Sequence, residues 1–325
     1  MPITVVGSIA FDTVTTPFGT RERMVGGAAT HFALAASFFD EVRVVGPVGD
    51  DFDASAHALL STRDINTDDV EHVAGGRSFF WAGEYGSDLN TRETLDTQLG
   101  VFETFQPKLS AASRQAEVLF LANIQPALQR DVLEQCERAR FVALDSMDLW
   151  IDIARADLLE VISRIDCLIL NDAELRQLTR QPSLVAAARE AFSWGPSAVV
   201  AKQGEYGAAL LTPDGFFALP AYPLETVVDP TGAGDTFAGG FVGYLAGHLD
   251  DTSDDETLRQ AMAYGTALAS FNVEEFGTDR VVRLTGDELR ARVSDLHRMT
   301  RLEHARAETP GDDQHVHDTR SGAPA

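Results

Sequence analysis

Short apolar runs alternate with amphipathic segments along most of this 325-residue chain. The apolar runs end in turn residues and lie at residues 3–9, 42–46, 117–121, 141–145, 167–170, 198–202 and 208–212. The segments between several of them have helical periodicity, as at residues 129–139 and 155–163. Because strands that alternate with helices assemble into a mainly parallel sheet covered on both faces, the pattern predicts one α/β domain.

Residues 70–106 interrupt this alternation. Residues 77–85 are rich in aromatic side chains and alternate in polarity, which favours strands. We therefore expect a small β lid, formed by residues 73–106 together with residues 13–25. Its aromatic side chains could instead form a contact between two copies of the chain, and the sequence leaves a homodimer open.

The charge balance limits the partners of the chain. It carries 26 basic and 50 acidic residues, a net charge of −24. Such a chain repels nucleic acid and anionic membrane surfaces, and it contains no run of about 18 apolar residues that would span a membrane. The acidic residues are dispersed, which is typical of a solvated surface, and a halophilic source is one hypothesis for their number.

Neither terminus is predicted to add a folded unit. The chain begins with a strand-like run and without a basic leader. Cys136 and Cys167 lie in apolar, periodic segments, so we expect reduced thiols and a cytoplasmic protein. Residues 304–325 are polar and aperiodic, and they are predicted to form a disordered tail after a domain of residues 1–303.

The most informative short stretch reads DPTGAGDTF over residues 229–237. Pro230 and the two glycines disfavour a helix, whereas apolar residues recur every four positions from Phe237 onward. This pattern predicts a turn that opens directly into a helix, whose first N–H groups are free to bind an anion. Asp235 would lie beside that anion as a proton acceptor, or would only cap the helix.

Four further segments carry candidate ligand-binding residues. Asp12 follows the first predicted strand, where ligands of α/β sheets gather, although a turn residue is the commoner reading. Gly26 and Gly27 open a helix that contains His31. Asn171 and Glu174 have the spacing of a capping box. Lys202 precedes Gly204 and Gly207 in a turn that could receive a nucleotide phosphate or form a plain hairpin.

Three common nucleotide and hydrolase motifs are missing from the sequence: the P-loop, the dinucleotide fingerprint and the nucleophile elbow. The motifs that are present, in their order, resemble those of the ribokinase-like (phosphofructokinase B) family of carbohydrate and nucleoside kinases. Residues 229–235 resemble the C-terminal signature of that family, and Gly26-Gly27 resembles its N-terminal signature. Asn171 to Glu174 matches the N-x-x-E motif, and Lys202 to Gly207 the nucleotide-side turn.

The resemblance implies a three-layer α/β/α domain with a mainly parallel central sheet and a small β lid. It also implies transfer of the γ-phosphate of ATP to a hydroxymethyl group. Asp235 would be the general base, and the N–H groups of Gly232, Ala233 and Gly234 would form the anion hole.

The remaining roles that the resemblance implies are binding roles. Asp12, Gly26, Gly27 and His31 would hold the acceptor. The ATP-binding residues would be Asn171, Lys202, Gly204, Gly207 and Gly234. Glu174 would act on Mg²⁺ through water, and Asp229 and Thr231 match positions at which some members bind K⁺.

Two residues depart from the family pattern. His31 stands where the family usually has Asn, and Lys202 stands where many members carry a small hydroxyl residue. Because of His31, the acceptor cannot be assigned by analogy. We expect a sugar or sugar derivative, with an adenosine- or inosine-like nucleoside as the alternative. A non-catalytic ligand-binding regulator on the same fold is the alternative of a different class.

Overall fold

A computed structural model describes residues 1–252 and 254–301. The tail expected at residues 304–325 lies outside this range. The described chain contains thirteen strands: β1 (Ile3–Val6), β2 (Ala10–Thr16), β3 (Gly19–Gly26), β4 (Val42–Gly49), β5 (Ile65–Val73), β6 (Phe79–Tyr85), β7 (Arg92–Gln98), β8 (Val118–Leu121), β9 (Phe141–Leu144), β10 (Cys167–Asn171), β11 (Ala198–Lys202), β12 (Ala208–Leu211) and β13 (Phe216–Leu219).

Twelve α-helices occur in the same part of the chain: α1 (Ala28–Ala36), α2 (Ala54–Leu60), α3 (Ala111–Arg114), α4 (Pro126–Gln135), α5 (Asp148–Ile153), α6 (Arg155–Ile162), α7 (Asp172–Thr179), α8 (Leu184–Phe192), α9 (Ala233–Ala246), α10 (Asp255–Asn272), α11 (Asp279–Arg283) and α12 (Gly286–Thr300). Within the described residues no helix is long and apolar enough to cross a membrane.

Nine of the strands form the central sheet, in the order β13-β12-β11-β10-β9-β8-β1-β4-β5. The strands from β11 to β5 pair in parallel, and β12 and β13 add an antiparallel hairpin at one edge. Helices pack on both faces, which confirms the predicted three-layer α/β/α fold. The carboxyl ends of the parallel strands therefore share one edge of the sheet, where ligands of such folds bind.

The sheet separates two apolar cores, because successive side chains of a strand point to opposite faces. Phe120 in β8 packs into the core on one face, stacked on Phe32 of α1 with ring centroids 4.1 Å apart. Its neighbours Leu119 and Leu121 pack into the core on the other face. Strands buried on both sides are apolar at consecutive positions, which is why they were readable from the sequence.

A second sheet of four strands, in the order β3-β2-β6-β7, forms the lid. Its strands fall within residues 10–26 and 79–98. Strand β7 lies at an edge and is exposed along its whole length. An exposed edge strand is a surface on which another chain can pair, and the homodimer stays a prediction.

Some boundaries differ from the sequence-based ones for local reasons. Strand β1 ends at Val6 rather than at residue 9, since Gly7 and Ser8 leave the ladder. Helix α4 begins at Pro126 rather than at Gln129, because proline is favoured at the first helical position. Cys136 and Cys167 are both buried free thiols.

Candidate active site

Three polar residues meet at the carboxyl edge of the central sheet. Asp145 directly follows β9, Asn171 ends β10 and Lys202 ends β11. Asn171 and Lys202 are partners in the parallel ladder. The sequence predicted two of them, whereas it did not single out Asp145. The position of Asp145 directly after a buried strand was the available signal, the same signal that identified Asp12.

The turn before α9 presents backbone N–H groups at this edge. Gly232 is the N-cap of α9, with a left-handed φ of +73° that favours glycine. The N–H of Ala233 donates to the carbonyl of Pro230 at 3.2 Å. The N–H groups of Gly232 and Gly234 have no hydrogen-bond partner within the described chain. Together with the positive end of the helix dipole, these groups favour an anion at the turn.

Asp235 lies in the first turn of α9. Burial raises the pKa of its carboxyl to about 7, and the negative charge of Asp145 acts in the same direction. The ammonium of Lys202 opposes both effects. A carboxyl with a pKa near the working pH can accept a proton and later release it, which suits a general base.

The Lys202 ammonium bridges the turn and the sheet. Its Nζ lies 2.7 Å from Oδ2 of Asp145, and the two side chains are 17% and 5% exposed. The ammonium also lies against Gly234, where an added Cβ would be 3.0 Å from Nζ. Burial lowers the pKa of Lys202, but Asp145, Glu174 and Asp235 outweigh it, so the net shift is upward and the side chain stays charged.

Asn171 and Glu174 form the capping box that their spacing predicts. Oδ1 of Asn171 accepts from the N–H of Glu174 at 2.7 Å, and Oε2 of Glu174 accepts from the N–H of Asn171 at 2.8 Å. Burial and the charge of Asp145 raise the pKa of Glu174 to about 7. The capping bonds leave Oε1 of Glu174 and Nδ2 of Asn171 available to a ligand.

Asp12 and the Gly26-Gly27 pair lie together at the base of the lid. Asp12 is 7% exposed, and its carboxylate lies against Gly26, where an added Cβ would overlap it. Burial raises the pKa of Asp12 to about 7; the N–H of Gly27 opposes this shift, while Asp229 and Asp235 add to it. Asp12 is therefore close enough to Asp229 and Asp235 for their charges to act on its pKa.

The lid surface that carries Asp12 also carries two aromatic residues. Trp81 is the ladder partner of Asp12, and partners in neighbouring strands point to the same face. Tyr85 follows Trp81 by four residues in β6, and its hydroxyl accepts from Oγ1 of Thr231 at 3.2 Å. The indole of Trp81 lies across Gly83, where any Cβ would overlap it. Trp81 thus lies on the lid face that also carries Asp12.

Asp229 is a fully buried carboxylate beside the turn. Its two oxygens accept from the N–H of Thr231 and from the N–H of Gly277, both at 2.9 Å. Neutral donors satisfy its hydrogen bonds but do not neutralise its charge. The carboxylate of Asp229 therefore suits a neighbouring cation.

His31 makes its polar contact away from the solvent. Its ring is 3% exposed, and Nδ1 lies 3.1 Å from Oδ1 of Asn272 at the end of α10. The ring also packs under Gly232, where an added Cβ would overlap it. Burial lowers the pKa of the imidazole, against the opposing influence of Asp229 and the Asn272 hydrogen bond. The assignment of His31 to the acceptor stays a prediction.

The predicted nucleotide-side turn follows β11. Gly204 and Gly207 both have positive φ, at +57° and +98°, and the N–H of Gln203 donates to the carbonyl of Gly207 at 2.8 Å. The lid reaches this turn at its tip, since Nδ2 of Asn90 donates to Oε1 of Glu205 at 3.1 Å. The lid therefore contacts both the turn before α9 and the nucleotide-side turn.

Comparisons with known proteins agree with this geometry. The profile of a family described as pfkB family carbohydrate kinase matches residues 3–283. A cytidine kinase of Thermococcus kodakarensis is 32% identical over 268 residues, which cover 80% of this chain and 92% of that protein. A nucleoside kinase of Methanothermobacter thermautotrophicus is 26% identical over 82% of this chain and 83% of its own length.

Solved structures show the same fold. The nucleoside kinase of Methanocaldococcus jannaschii, described as an archaeal member of the ribokinase family, has a TM-score of 0.73 with 21% sequence identity. The match covers 90% of this chain and 98% of that one.

Proposed function

The chain belongs to the pfkB family of carbohydrate kinases and is a small-molecule kinase, and from that premise we propose that it transfers the γ-phosphate of ATP to the primary hydroxyl of a nucleoside. The observation that carries the reaction is the meeting of Asp235, the free amides of the turn before α9 and the Lys202 ammonium at one point. A base, an anion hole and a cation at the same place are what phosphoryl transfer needs.

Each residue of the site has a separate role in the transfer. Asp235 accepts the proton of the acceptor hydroxyl as its oxygen attacks the γ-phosphorus. The N–H groups of Gly232, Gly234 and Ala233 stabilise the negative charge on the equatorial phosphoryl oxygens, with Ala233 sharing its N–H with Pro230. Removing one donor of this kind typically costs about 10²- to 10³-fold in rate. Lys202 neutralises charge on the departing phosphate, and the turn at Gly204 and Gly207 receives the nucleotide.

Glu174, Asp145 and Asp235 fit a role for magnesium. They bring three carboxylates to one ammonium, so the cluster has an excess of negative charge when all are ionised. In the described part of the chain, however, no group of three or more such side chains is arranged to hold an ion by itself. Glu174 and Asn171 would therefore hold Mg²⁺ through water while ATP phosphates supply direct ligands. The ion would neutralise phosphate charge during transfer.

Asp229 and Thr231 fit a role for a monovalent cation. Asp229 is buried and hydrogen-bonded only to neutral N–H groups, so a cation such as K⁺ would neutralise it. The chemistry that K⁺ would supply is a positive field behind the anion hole. Asp229 and Thr231 would also fix the backbone of the turn.

Two observations favour a nucleoside over the sugar that the sequence put first. The cytidine kinase relative aligns over most of both chains. Trp81 lies on the same lid face as Asp12, so an acceptor whose ribose hydroxyls bind Asp12, Gly26 and Gly27 would bring its base towards the indole. Stacking of a base on an aromatic ring contributes about 1–3 kcal/mol.

The test is an ADP-release assay with ATP and Mg²⁺ against cytidine, inosine, adenosine, ribose and fructose. We expect a nucleoside 5′-phosphate, identified by ³¹P NMR, and a rate about 10²- to 10⁴-fold lower in Asp235→Asn. In Trp81→Ala the KM for the nucleoside should rise about tenfold or more, while any turnover of free ribose should be unaffected. Turnover of free sugars alone would contradict the nucleoside proposal. Tight binding without turnover of any acceptor would indicate a ligand-binding regulator.

A further inference from the structure

His31, Asn272 and Thr231 form a continuous hydrogen-bonded path from α1 to the turn before α9. Nδ2 of Asn272 donates to the carbonyl oxygen of Thr231 at 2.8 Å. Oδ1 of Asn272 lies 3.1 Å from Nδ1 of His31 and also accepts from Oγ1 of Thr236 at 3.1 Å. Asn272 is fully buried, so water cannot replace these bonds without a rearrangement.

The path fixes the tautomer of His31. A backbone carbonyl can only accept, so the amide nitrogen of Asn272 must face Thr231 and the amide oxygen must face His31. An amide oxygen also only accepts, and Nδ1 of His31 therefore carries the proton. Burial lowers the pKa of the ring, which keeps Nε2 unprotonated near neutral pH. Nε2 has no hydrogen-bond partner within the described residues.

The imidazole ring of His31 also contacts the turn before α9 directly. The edge of the imidazole that contains Cε1 lies against Gly232, at the point where a side chain would project. Gly232 precedes the free N–H of Gly234 and the carboxylate of Asp235 in one turn of chain. A shift of His31 or Asn272 would therefore move the amides and the base together.

We propose that His31 is a positioning residue, which acts through Asn272 and Gly232 to hold the anion-hole turn rather than by binding the acceptor. This inference rests on the proposed kinase function. Small displacements of reacting groups have large effects on rate, about 10²-fold for about 1 Å. The role predicts a loss of turnover with little loss of substrate affinity.

The design uses three replacements of His31 that differ in where they offer a donor. In His31→Asn the amide can place an N–H near the position of Nδ1, whereas in His31→Gln the amide reaches the position of Nε2. His31→Leu fills the space without a donor. We expect His31→Asn to keep kcat within about threefold of wild type and the other two to lose about tenfold or more. KM for ATP and for the nucleoside should change by less than about threefold in all three.

Two further variants replace other residues that hydrogen-bond in or beside the path. Asn272→Leu should reproduce the loss in His31→Leu, and the double variant should be no worse than either single one, because both break the same path. Thr236→Val is the matched control, since it removes a hydrogen bond to the same oxygen but leaves the path intact. Thermal unfolding identifies variants that fail to fold. If His31→Leu is one of them, Asn272→Leu tests the proposal in its place.

The results of these experiments distinguish a failure of the His31 proposal from a failure of the proposed kinase function. A rise in the nucleoside KM with kcat retained would make His31 an acceptor-binding residue and overturn the proposal. Equal losses in His31→Asn and His31→Leu would also overturn it. If wild-type protein phosphorylates none of the acceptors, the proposed function fails, and ¹⁵N NMR of the imidazole still tests the path. A protonated Nδ1 supports the proposal, and a protonated Nε2 contradicts it.

Discussion

The Nζ atom of Lys202 lies 2.7 Å from Oδ2 of Asp145, and both residues act on the pKa of Asp235 from opposite directions. Asp145 raises the pKa of Asp235, and Lys202 lowers it. The two residues lie at the ends of β9 and β11, the strands on either side of β10 in the sheet. Two side chains at the edge of the central sheet thus act on the pKa of Asp235 in addition to its burial.

Turnover should depend on pH through Asp235. Burial raises its pKa to about 7, and the base is active only when deprotonated. We therefore expect kcat to rise with pH, to reach half its maximum near pH 7 and to level off above it. The measurement is kcat between pH 5.5 and 9 at saturating substrates. A rate that is flat across pH 6 to 8 would contradict this role for Asp235.

Removing the charge of Lys202 and removing that of Asp145 should move the pH of half-maximal kcat in opposite directions. In Lys202→Met the loss of the ammonium raises the pKa of Asp235, so the rise in kcat shifts to higher pH. In Asp145→Asn the loss of a negative charge lowers the pKa, and the rise shifts to lower pH. Lys202→Arg retains the charge and serves as the control. If both variants shift the pH of half-maximal kcat in the same direction, they act by distorting the site and not through their charges.

Asp235→Asn should lose activity and gain stability. Loss of a general base typically costs about 10²- to 10⁴-fold in rate. The folded-state pKa of Asp235 is about 7, above the ordinary value of 3.8. At any pH above about 4, ionisation of Asp235 therefore favours the unfolded state. The wild type consequently loses stability as pH rises from about 4 to about 7, and the Asn variant lacks the part of this loss that comes from Asp235.

Thermal unfolding at several pH values measures this difference. The melting temperature of Asp235→Asn should exceed that of wild type at pH 8, and the gap should close as the pH falls to 4. Asp214→Asn, at an exposed carboxylate, is the matched control. A gap that is the same at pH 4 and pH 8 would contradict the assignment of the raised pKa to Asp235.

The parts of the site that were predictable lie close together in the sequence. The turn at residues 229–235 is readable because proline and glycine act on their own backbone and the helix period begins directly afterwards. Asn171 and Glu174 are three residues apart, and their capping box follows from that spacing. Local chemistry of this kind needs no tertiary contact to be recognised.

The parts that were not predictable depend on distant residues. Lys202 meets Asp145 across 57 positions, and His31 meets Asn272 across 241. No periodicity connects such pairs, because the sheet order and the packing of α1 and α10 on α9 bring them together. The phosphate contact of Lys202 and the acceptor contact of His31 stay predictions, and Asp145 and Asn272 were not singled out from the sequence.

The excess of acidic residues should make stability depend on salt. With a net charge of −24, repulsion among surface carboxylates opposes the compact state, and salt screens it. We expect the melting temperature to rise between 0.1 M and 2 M KCl, and to rise similarly in NaCl. A melting temperature that does not rise would contradict the halophilic hypothesis.

Tyr85 should connect lid closure to the anion-hole turn. Its buried hydroxyl accepts from Oγ1 of Thr231 at 3.2 Å, and Trp81 and Asp12 lie on the same lid face. Tyr85→Phe removes this bond and keeps the ring. Because a hydrogen bond contributes about 0.5–1.5 kcal/mol, the KM for the nucleoside should rise about 2- to 12-fold. The KM for ATP should stay within about twofold, since the predicted nucleotide-side turn contacts the lid at a different point, Asn90.

Thr231 provides the complementary variants. Thr231→Val removes the other partner of the same bond and should give the same rise in KM, whereas Thr231→Ser keeps the hydroxyl and should remain close to wild type. The double variant Tyr85→Phe with Thr231→Val should show no further rise, because the bond is already absent. Additive effects of the two substitutions, or an equal rise in the KM for ATP, would mean that the Tyr85 hydroxyl does not hold the lid over the acceptor.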